Sequence, residues 1–184
     1  MMKASLLALF SAVLVAQSSN TAPESFKANA QFSGGAAGSA AVITIHIDRY
    51  TDDADHESVA NALKDGGYAE FVKALRKAPV VGTLSVGNRN IPIRWARQRP
   101  KDNDRQIAII TEEPVYFVGA GKVEAKPTEG YDVAIAEFTV DSVGLGKGSM
   151  APAAKVKLGG PTGVQVDDYA GKLVTLVSVS RKIS

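Results

Sequence analysis

The part of the chain after Pro79 consists of short runs in which apolar and polar residues alternate, separated by turn-forming residues. This pattern restricts the fold more than any other feature, because strict alternation places the apolar side chains of a strand on one face. Residues 131–141 are the clearest example. We predict about seven strands between residues 81 and 183, in meander order, with residues 144–148 and 159–163 as glycine-rich hairpin connections.

A further strand and a helical region precede this succession of strands. Residues 41–49 are rich in β-branched side chains and alternate, which predicts a strand. A helix is expected over about residues 53–64, ended by Gly66 and Gly67, and a second helix over residues 68–77. The sequence therefore predicts an α+β fold, a mostly antiparallel sheet with a helical hairpin after the first strand. Closure into a barrel is one way for such a sheet to remove its edges.

The first 18 residues have the pattern of a secretory signal peptide. Lys3 supplies a positive charge, residues 4–16 are uninterruptedly apolar, and small residues such as Ser18 follow at the positions that a signal peptidase reads. The apolar run is too short to cross a bilayer as a helix. We therefore predict an exported protein, periplasmic or extracellular, in which residues 1–18 are removed.

The rest of the chain is expected to consist of a tail and one domain. Residues 19–40 are rich in Ala, Ser and Gly and predict a flexible tail, although a short strand around residues 26–32 fits them as well. Residues 41–184 then form a single α+β domain. No later segment has the roughly 18 consecutive apolar residues of a membrane helix. The processed protein is therefore expected to be soluble and to have no membrane span.

Charge and cysteine content exclude several classes of function. The chain has 21 Lys and Arg residues against 19 Asp and Glu residues, and this balance provides no strongly basic face for nucleic acid. The absence of cysteine excludes disulfides, thiol nucleophiles and cysteine-ligated zinc. The glycine-rich runs do not have the spacing of a phosphate-binding loop. We therefore predict no cofactor and no nucleic-acid partner.

Four segments, residues 43–67, 69–82, 93–100 and 144–158, together resemble a family of small exported bacterial proteins with no assigned activity. That family shares a signal peptide, an I-T-I-x-R-[WY] strand, a helical hairpin and an R-[YW]-A-R-Q strand. Here the first motif is represented loosely by residues 43–50, and the second reads R-W-A-R-Q from Arg94. The resemblance implies export and the same order of elements, and it implies no chemistry.

The strand expected around Trp95 carries the most unusual side chains. On a regular strand Arg94 and Gln98 share one face, whereas Trp95 lies on the other face together with Ile93. If the first face lines a cavity, Arg94 and Gln98 can hold a carboxylate or phosphate, with Trp95 packed behind them. The alternative, which is the commoner use of such residues, is pairing of the arginines with acidic residues across the sheet.

The two histidines, His46 and His56, lie ten residues apart in a stretch that also contains several aspartates. This spacing matches no zinc signature. Acidic residues are also expected there because the positive end of the helix dipole favours them. We therefore predict no metal site, and we keep His46 as a candidate ligand-binding residue on the first strand.

Three functions remain open. We favour an exported, non-enzymatic binding or interaction module for a small anionic or amphipathic ligand or for an envelope protein, with Arg94 or Gln98 in the wall of an apolar pocket. A hydrolase outside the cytoplasm would instead bring together at least two polar residues in a cleft. The candidates for that role are His46, Asp48, Arg94 and Glu137. A structural, envelope-associated protein would show no pocket and a large exposed apolar patch.

Overall fold

The computed structural model describes residues 22–32, 40–116, 128–160 and 162–182. The predicted signal peptide, residues 1–18, lies outside these ranges. In chain order the elements are β1 Glu24–Phe32, β2 Ala40–Ile47, α1 Asp53–Lys77, β3 Gly82–Val86, β4 Arg89–Lys101, β5 Asp104–Thr111, β6 Val133–Val140, β7 Leu145–Leu158, β8 Val164–Tyr169 and β9 Val174–Lys182.

The first strand corrects the expectation of a flexible tail over residues 19–40. β1 pairs along its length with β2 on one side and with β9 on the other. Its even-numbered residues Phe26, Ala28 and Ala30 are buried, and the odd-numbered residues between them are not. The tail interpretation is wrong for this segment, and the alternative of a short strand around residues 26–32 is confirmed. The apolar signal is weak because Ala28 and Ala30 are small.

The sheet closes into an antiparallel barrel of eight strands. Neighbouring strands follow the order β6, β5, β4, β3, β2, β1, β9, β7, and an additional pairing of β6 with β7 closes the ring. β8 extends this sheet beyond the ring by pairing with the second part of β7. The predicted antiparallel, barrel-like sheet is confirmed. Closure pairs the backbone N–H and C=O groups that an open sheet leaves unpaired at its edges.

The interior of the barrel is filled by side chains from all eight strands. The buried cluster includes Phe26 of β1, Ile45 of β2, Ile107 of β5 and Phe138 of β6. The rings of Phe26 and Phe138 meet edge to face, with their centroids 5.0 Å apart, a favoured aromatic geometry. A barrel of eight strands encloses a space of about the width that side chains fill, so this interior is the main core.

A second core lies between the helix and the outside of the barrel. Phe71 and Leu75 of α1 pack there with Trp95 of β4 and Ile110 of β5. Asp52 caps the start of α1, since its side chain accepts a hydrogen bond from the backbone N–H of Asp55 at 2.8 Å. The helix thus covers the side of the barrel formed by β4 to β8, which contribute all the strand residues of this second core.

The helical region is one element that is broken at Gly67. This residue has φ 72° and ψ −166°, which are not helical values, and glycine adopts a positive φ without steric cost. The expected boundaries at residues 53 and 77 agree with α1, but a hairpin of two separate helices is not confirmed.

The long strand β7 differs from the sequence expectation, which treated residues 144–148 as a hairpin connection. The turn ends at Gly144, and Gly146 and Gly148 already belong to the strand. An added Cβ at either position would collide with backbone carbonyl oxygens of β6. These glycines therefore allow β6 and β7 to approach closely at the closure of the barrel.

Candidate functional site

A bulge in β4 decides where the candidate residues point. The register between β4 and β5 shifts between Ile93 and Trp95, which makes Arg94 the extra residue. Ile93 and Ala96 consequently both belong to the interior core, whereas Trp95 packs under the helix. The expectation that Ile93 and Trp95 share a face is therefore wrong, because it assumed unbroken alternation.

Arg94 is held by protein groups at the bulge. Its Nε donates a hydrogen bond to Oε2 of Glu112 at 2.6 Å, and its Nη1 donates to the carbonyl oxygen of Ala78 at 2.7 Å. The side chain is 21% exposed. Ala78 directly follows α1, so these contacts fasten the end of the helix to the barrel. A ligand would have to displace Glu112 to reach this guanidinium.

Gln98 belongs to a polar cluster at the end of the barrel where β1 begins. Its Oε1 accepts a hydrogen bond from Nη1 of Arg105 at 2.7 Å. The same guanidinium donates to Oε1 and Oε2 of Glu24 at 3.0 and 2.9 Å, and the hydroxyl of Tyr50 also donates to Glu24. We call Glu24, Tyr50, Gln98 and Arg105 the barrel-end clasp. The sequence predicted that Gln98 could bind a carboxylate, and in the fold its arginine partner binds the protein's own Glu24.

The electrostatics of the barrel-end clasp favour the charged carboxylate. Burial raises the pKa of Glu24, but the hydrogen bonds from Arg105 and Tyr50 outweigh burial and bring the pKa below its usual value. Burial and the neighbouring carboxylate raise the pKa of Tyr50. The side chain of Glu24 is only 4% exposed and that of Arg105 is 25% exposed, so the clasp pairs a buried carboxylate with a partly buried guanidinium.

Trp95 is fully buried between the barrel and α1. Its indole Nε1 donates to Nδ1 of His56 at 3.3 Å, and the two ring centroids are 5.8 Å apart. Gly163 also packs against the imidazole of His56, because a Cβ added at Gly163 would lie 2.5 Å from Cε1 of that ring. Burial and the Arg97 guanidinium lower the pKa of His56. The imidazole is therefore mainly neutral at pH 7. It connects α1, to which His56 belongs, with Trp95 of the second core.

His46 lies on the outer face of the barrel in a hydrogen-bonded chain of three side chains. Oγ of Ser25 is 2.6 Å from Nδ1 of His46, and Nε2 of His46 is 3.1 Å from Oδ1 of Asp48. Ser25 and His46 face each other across β1 and β2. The side chains of His46 and Asp48 are 45% and 60% exposed. This chain has the order nucleophile, base and acid, and it lies on an open face.

The break in α1 produces a groove of about 330 Å³ on the outside of the molecule. The first half of the helix contributes Asp55, Ser58 and Ala62, and the second half contributes Glu70, Lys73 and Lys77. Within each half these residues are three or four positions apart, which places them on one helix face. The groove is therefore formed by two helix faces that meet at an angle.

Most charges in the groove are neutralised inside the protein. Asp55 pairs with Arg49 at 3.3 Å, and Glu70 pairs with Lys73 at 2.6 Å. Lys77 has no carboxylate partner among the residues that the structure describes. The groove thus contains one cation whose charge is not balanced by a neighbouring acid.

The four polar residues proposed for a hydrolase do not meet in one cleft. His46 and Asp48 are in contact on the outer face of β2. Arg94 lies at the β4 bulge, and Glu137 of β6 accepts a hydrogen bond from Gln106 on the outer face of β5. Of the four candidates for a hydrolase, only His46 and Asp48 are therefore within hydrogen-bond distance of each other.

Neither a metal cluster nor a helical membrane span is found in the described ranges. Within them, no group of three or more His, Cys, Asp or Glu side chains is arranged to hold a metal ion. None of the helical residues that the structure describes forms a segment long and apolar enough to cross a membrane.

Sequence reasoning missed Glu24, Ser25, Tyr50 and Arg105. Glu24 and Ser25 were missed because their segment was interpreted as a tail. The signal that could have identified it is the alternation that Phe26 begins, with polar residues at the positions between the apolar ones. Arg105 lies 81 positions from Glu24, and no local pattern connects the two.

Comparison of the chain with models of protein families, with curated proteins and with solved structures finds no match. The fold is an antiparallel barrel of eight strands with a helix on its outside. The resemblance to exported bacterial proteins stays a prediction, and the function has to be argued from the side chains described above.

Proposed function

We propose that the protein is an exported module that binds a small amphipathic anion, without changing it chemically, in the groove between the two halves of α1. The observation that carries this proposal is Lys77, a cation without a carboxylate partner in the described part of the chain, on the wall of a groove. The filled barrel interior argues for a site on the outside. The barrel-end clasp argues the same, because its arginine already holds Glu24.

The chemistry of the groove supports an anionic head and a short apolar tail. Asp55 and Glu70 repel an anion only weakly, because each is paired with a cation. Lys77 is left to attract a carboxylate or phosphate. Val59 and Pro79 line the same groove and offer apolar surface to a tail. A volume of about 330 Å³ lies at the small end of ligand pockets, so the ligand is expected to be small.

Arg94 supports this site from behind. It holds the carbonyl of Ala78, and Ala78 lines the groove. Replacing Arg94 by alanine is expected to weaken binding by loosening the wall, without removing a contact to the ligand. Arg94 is in this proposal a positioning residue.

A titration of the isotopically labelled, processed protein with decanoate tests the proposal. We expect backbone NMR shifts at Ser58, Ala62 and Lys77, and weaker binding by about fivefold in Lys77→Ala, since an exposed ion pair contributes up to about 1 kcal/mol. Lys64→Ala is the matched control, because Lys64 is exposed on the same helix and does not line the groove. Shifts confined to the barrel end, or equal affinity of the Lys77 and Lys64 variants, would refute the proposal.

Export has its own test. The full chain is expressed in a bacterial host, and the released protein is analysed by native mass spectrometry. Removal of residues 1–18 supports export, and an intact N-terminus in the cytoplasm contradicts it. A bound small molecule that is lost in Lys77→Ala would in addition identify the class of ligand.

A structural role through a strand edge is a second candidate, favoured by one observation on β8. Among the described strands, β8 pairs with β7 alone, whereas each strand of the barrel has two neighbours. Leu158, Tyr169 and Leu173 around it are large apolar residues with exposed side chains. An open edge of this kind can pair with another chain. Sedimentation of the processed protein as a single chain at high concentration would contradict self-association through this edge.

A further inference from the structure

We propose that Ser25 is a nucleophile, activated by His46 and positioned with the help of Asp48, that accepts acyl groups from activated esters on the outer face of the barrel. Ser25 Oγ lies 2.6 Å from His46 Nδ1, and His46 Nε2 lies 3.1 Å from Asp48 Oδ1. A base within hydrogen-bond reach of a serine and an acid that orients the base are the geometric requirements for serine catalysis.

One tautomer of His46 satisfies both contacts. With its proton on Nε2, the imidazole donates to the Asp48 carboxylate and accepts the Ser25 hydroxyl proton at Nδ1. The roles of the two ring nitrogens are reversed relative to the serine protease arrangement, in which Nε2 faces the serine. Either nitrogen can take up a proton, so the reversal does not prevent general base catalysis.

The reaction follows from these positions and is balanced without a cofactor. Ser25 Oγ attacks the ester carbonyl carbon and forms an O–C bond while its proton moves to His46 Nδ1. The bond from the carbonyl carbon to the leaving oxygen then breaks, and His46 returns the proton to that oxygen. Water, deprotonated in the same way by His46, subsequently hydrolyses the acyl-serine and restores the hydroxyl.

The surroundings of Ser25 determine which substrates are expected. Its backbone is paired with β2 on one side and with β9 on the other, so the strand itself provides no free pair of N–H groups for an oxyanion. Lys182 is opposite Ser25 on β9, and Lys27 occupies the next outward position of β1. The positive charges of these lysines stabilise, at long range, the negative charge that develops on the carbonyl oxygen of the ester. We therefore expect slow reaction with esters of good leaving groups and none with amides.

Labelling by a fluorophosphonate probe tests the proposal directly. We expect one adduct per chain, mapped by mass spectrometry to Ser25 and absent from Ser25→Ala. Ser85→Ala is the matched control. Ser85 is also a side chain on the outer face of a barrel strand, but its hydroxyl donates to Asn90 and not to a histidine. His46→Gln should lower the labelling rate by about 100-fold, the usual contribution of a general base.

The role of Asp48 is tested by the rate of labelling. Asp48→Ala removes the carboxylate that accepts from Nε2 of His46 and should lower the labelling rate of Ser25, whereas Asp48→Glu keeps a carboxylate and should restore most of it. Equal rates in the wild type and in Asp48→Ala refute that role. Absence of a serine adduct, an adduct on a lysine, or equal labelling of the wild type and Ser25→Ala overturns the proposal.

Discussion

Replacement of Glu24 by glutamine tests the barrel-end clasp. The substitution preserves the shape of the side chain and removes the negative charge that Arg105 holds through two hydrogen bonds of 3.0 and 2.9 Å. Arg181, whose Nη1 is 3.9 Å from the carboxylate, then adds repulsion that is no longer balanced. The variant therefore leaves a partly buried guanidinium without a counterion.

The expected loss of stability follows from the burial of this pair. Breaking a buried ion pair by removing one partner costs about 3–5 kcal/mol. The side chain of Arg105 is 25% exposed, and water at that surface compensates part of the loss. We therefore expect the free energy of unfolding to fall by about 3 kcal/mol, near the lower limit, which corresponds to roughly 6–12 °C in Tm for a chain of this size.

The same pair predicts an acid-dependent loss of stability. The folded-state pKa of Glu24 lies below its ordinary value of 4.5, so the unfolded chain binds a proton more readily than the folded one does. Its contribution is complete above about pH 4.5 and is lost as the pH falls through the lowered folded-state pKa. In Glu24→Gln this part of the pH dependence disappears.

Urea unfolding followed by the fluorescence of Trp95, the single tryptophan, measures the change. Glu113→Gln is the control, because Glu113 pairs with Arg89 on the surface, where the two side chains are 49% and 40% exposed. That substitution should cost less than about 1 kcal/mol. A loss below about 1 kcal/mol in Glu24→Gln as well would refute the reasoning, since it would mean that Glu24 is solvated.

The remaining predictions concern the helix contact and the closure of the barrel. Protonation of His56, which contacts the Trp95 indole, should change the fluorescence of Trp95 below pH 6.5. His56→Gln should abolish this change, whereas His46→Gln should retain it. The lowered pKa of His56 means that stability is complete above its ordinary value of 6.5 and falls as the imidazole is protonated at lower pH; a titration that survives in His56→Gln would contradict this assignment. Gly146→Ala should reduce the free energy of unfolding by about 1–3 kcal/mol in thermal denaturation, because its Cβ would collide with a β6 carbonyl. Gly171→Ala is the control, because a Cβ at Gly171 would have no atom within 4 Å and only the positive φ is unfavourable there. Equal losses of unfolding free energy in the two variants would argue against the close approach of β6 and β7.

Strand periodicity predicted much of the barrel correctly. The predicted alternation is present in β2, with Ile43, Ile45 and Ile47 in the interior core and His46 outside. β-branched residues every second position produce a strong local signal. The antiparallel, barrel-like sheet could be predicted for the same reason.

β1 was predicted only as an alternative to a tail, and the beginning of β7 was interpreted as a turn. β7 contains many Ala, Gly and Ser residues, whose local preference resembles that of loops, and Ala28 and Ala30 weaken the apolar alternation of β1. Gly146 and Gly148 are explained only by the β6 backbone that faces them. The carbonyl oxygens that they face belong to Thr139 and Glu137, and the residue preferences of a turn and of such a close approach are both for glycine.

The candidate residues were partly predicted, but their partners were not. Gln98 was expected to bind a ligand together with Arg94, whereas in the fold it accepts a hydrogen bond from Arg105, which binds Glu24. The bulge at Arg94 reverses the alternation of β4, and a bulge leaves little trace in one sequence. Contacts across strands depend on register, which a local pattern does not specify.

The sequence by itself determined the local features of this protein, namely where most strands lie, where the helix begins and ends, and which face of β2 is buried. These features depend on residues within a few positions of one another. Only the tertiary structure decided that β1 inserts between β2 and β9, that Arg105 binds Glu24, and that Ser25 meets His46. Those contacts join residues 81 and 21 positions apart, and the pairing of the strands in the closed barrel brings them together.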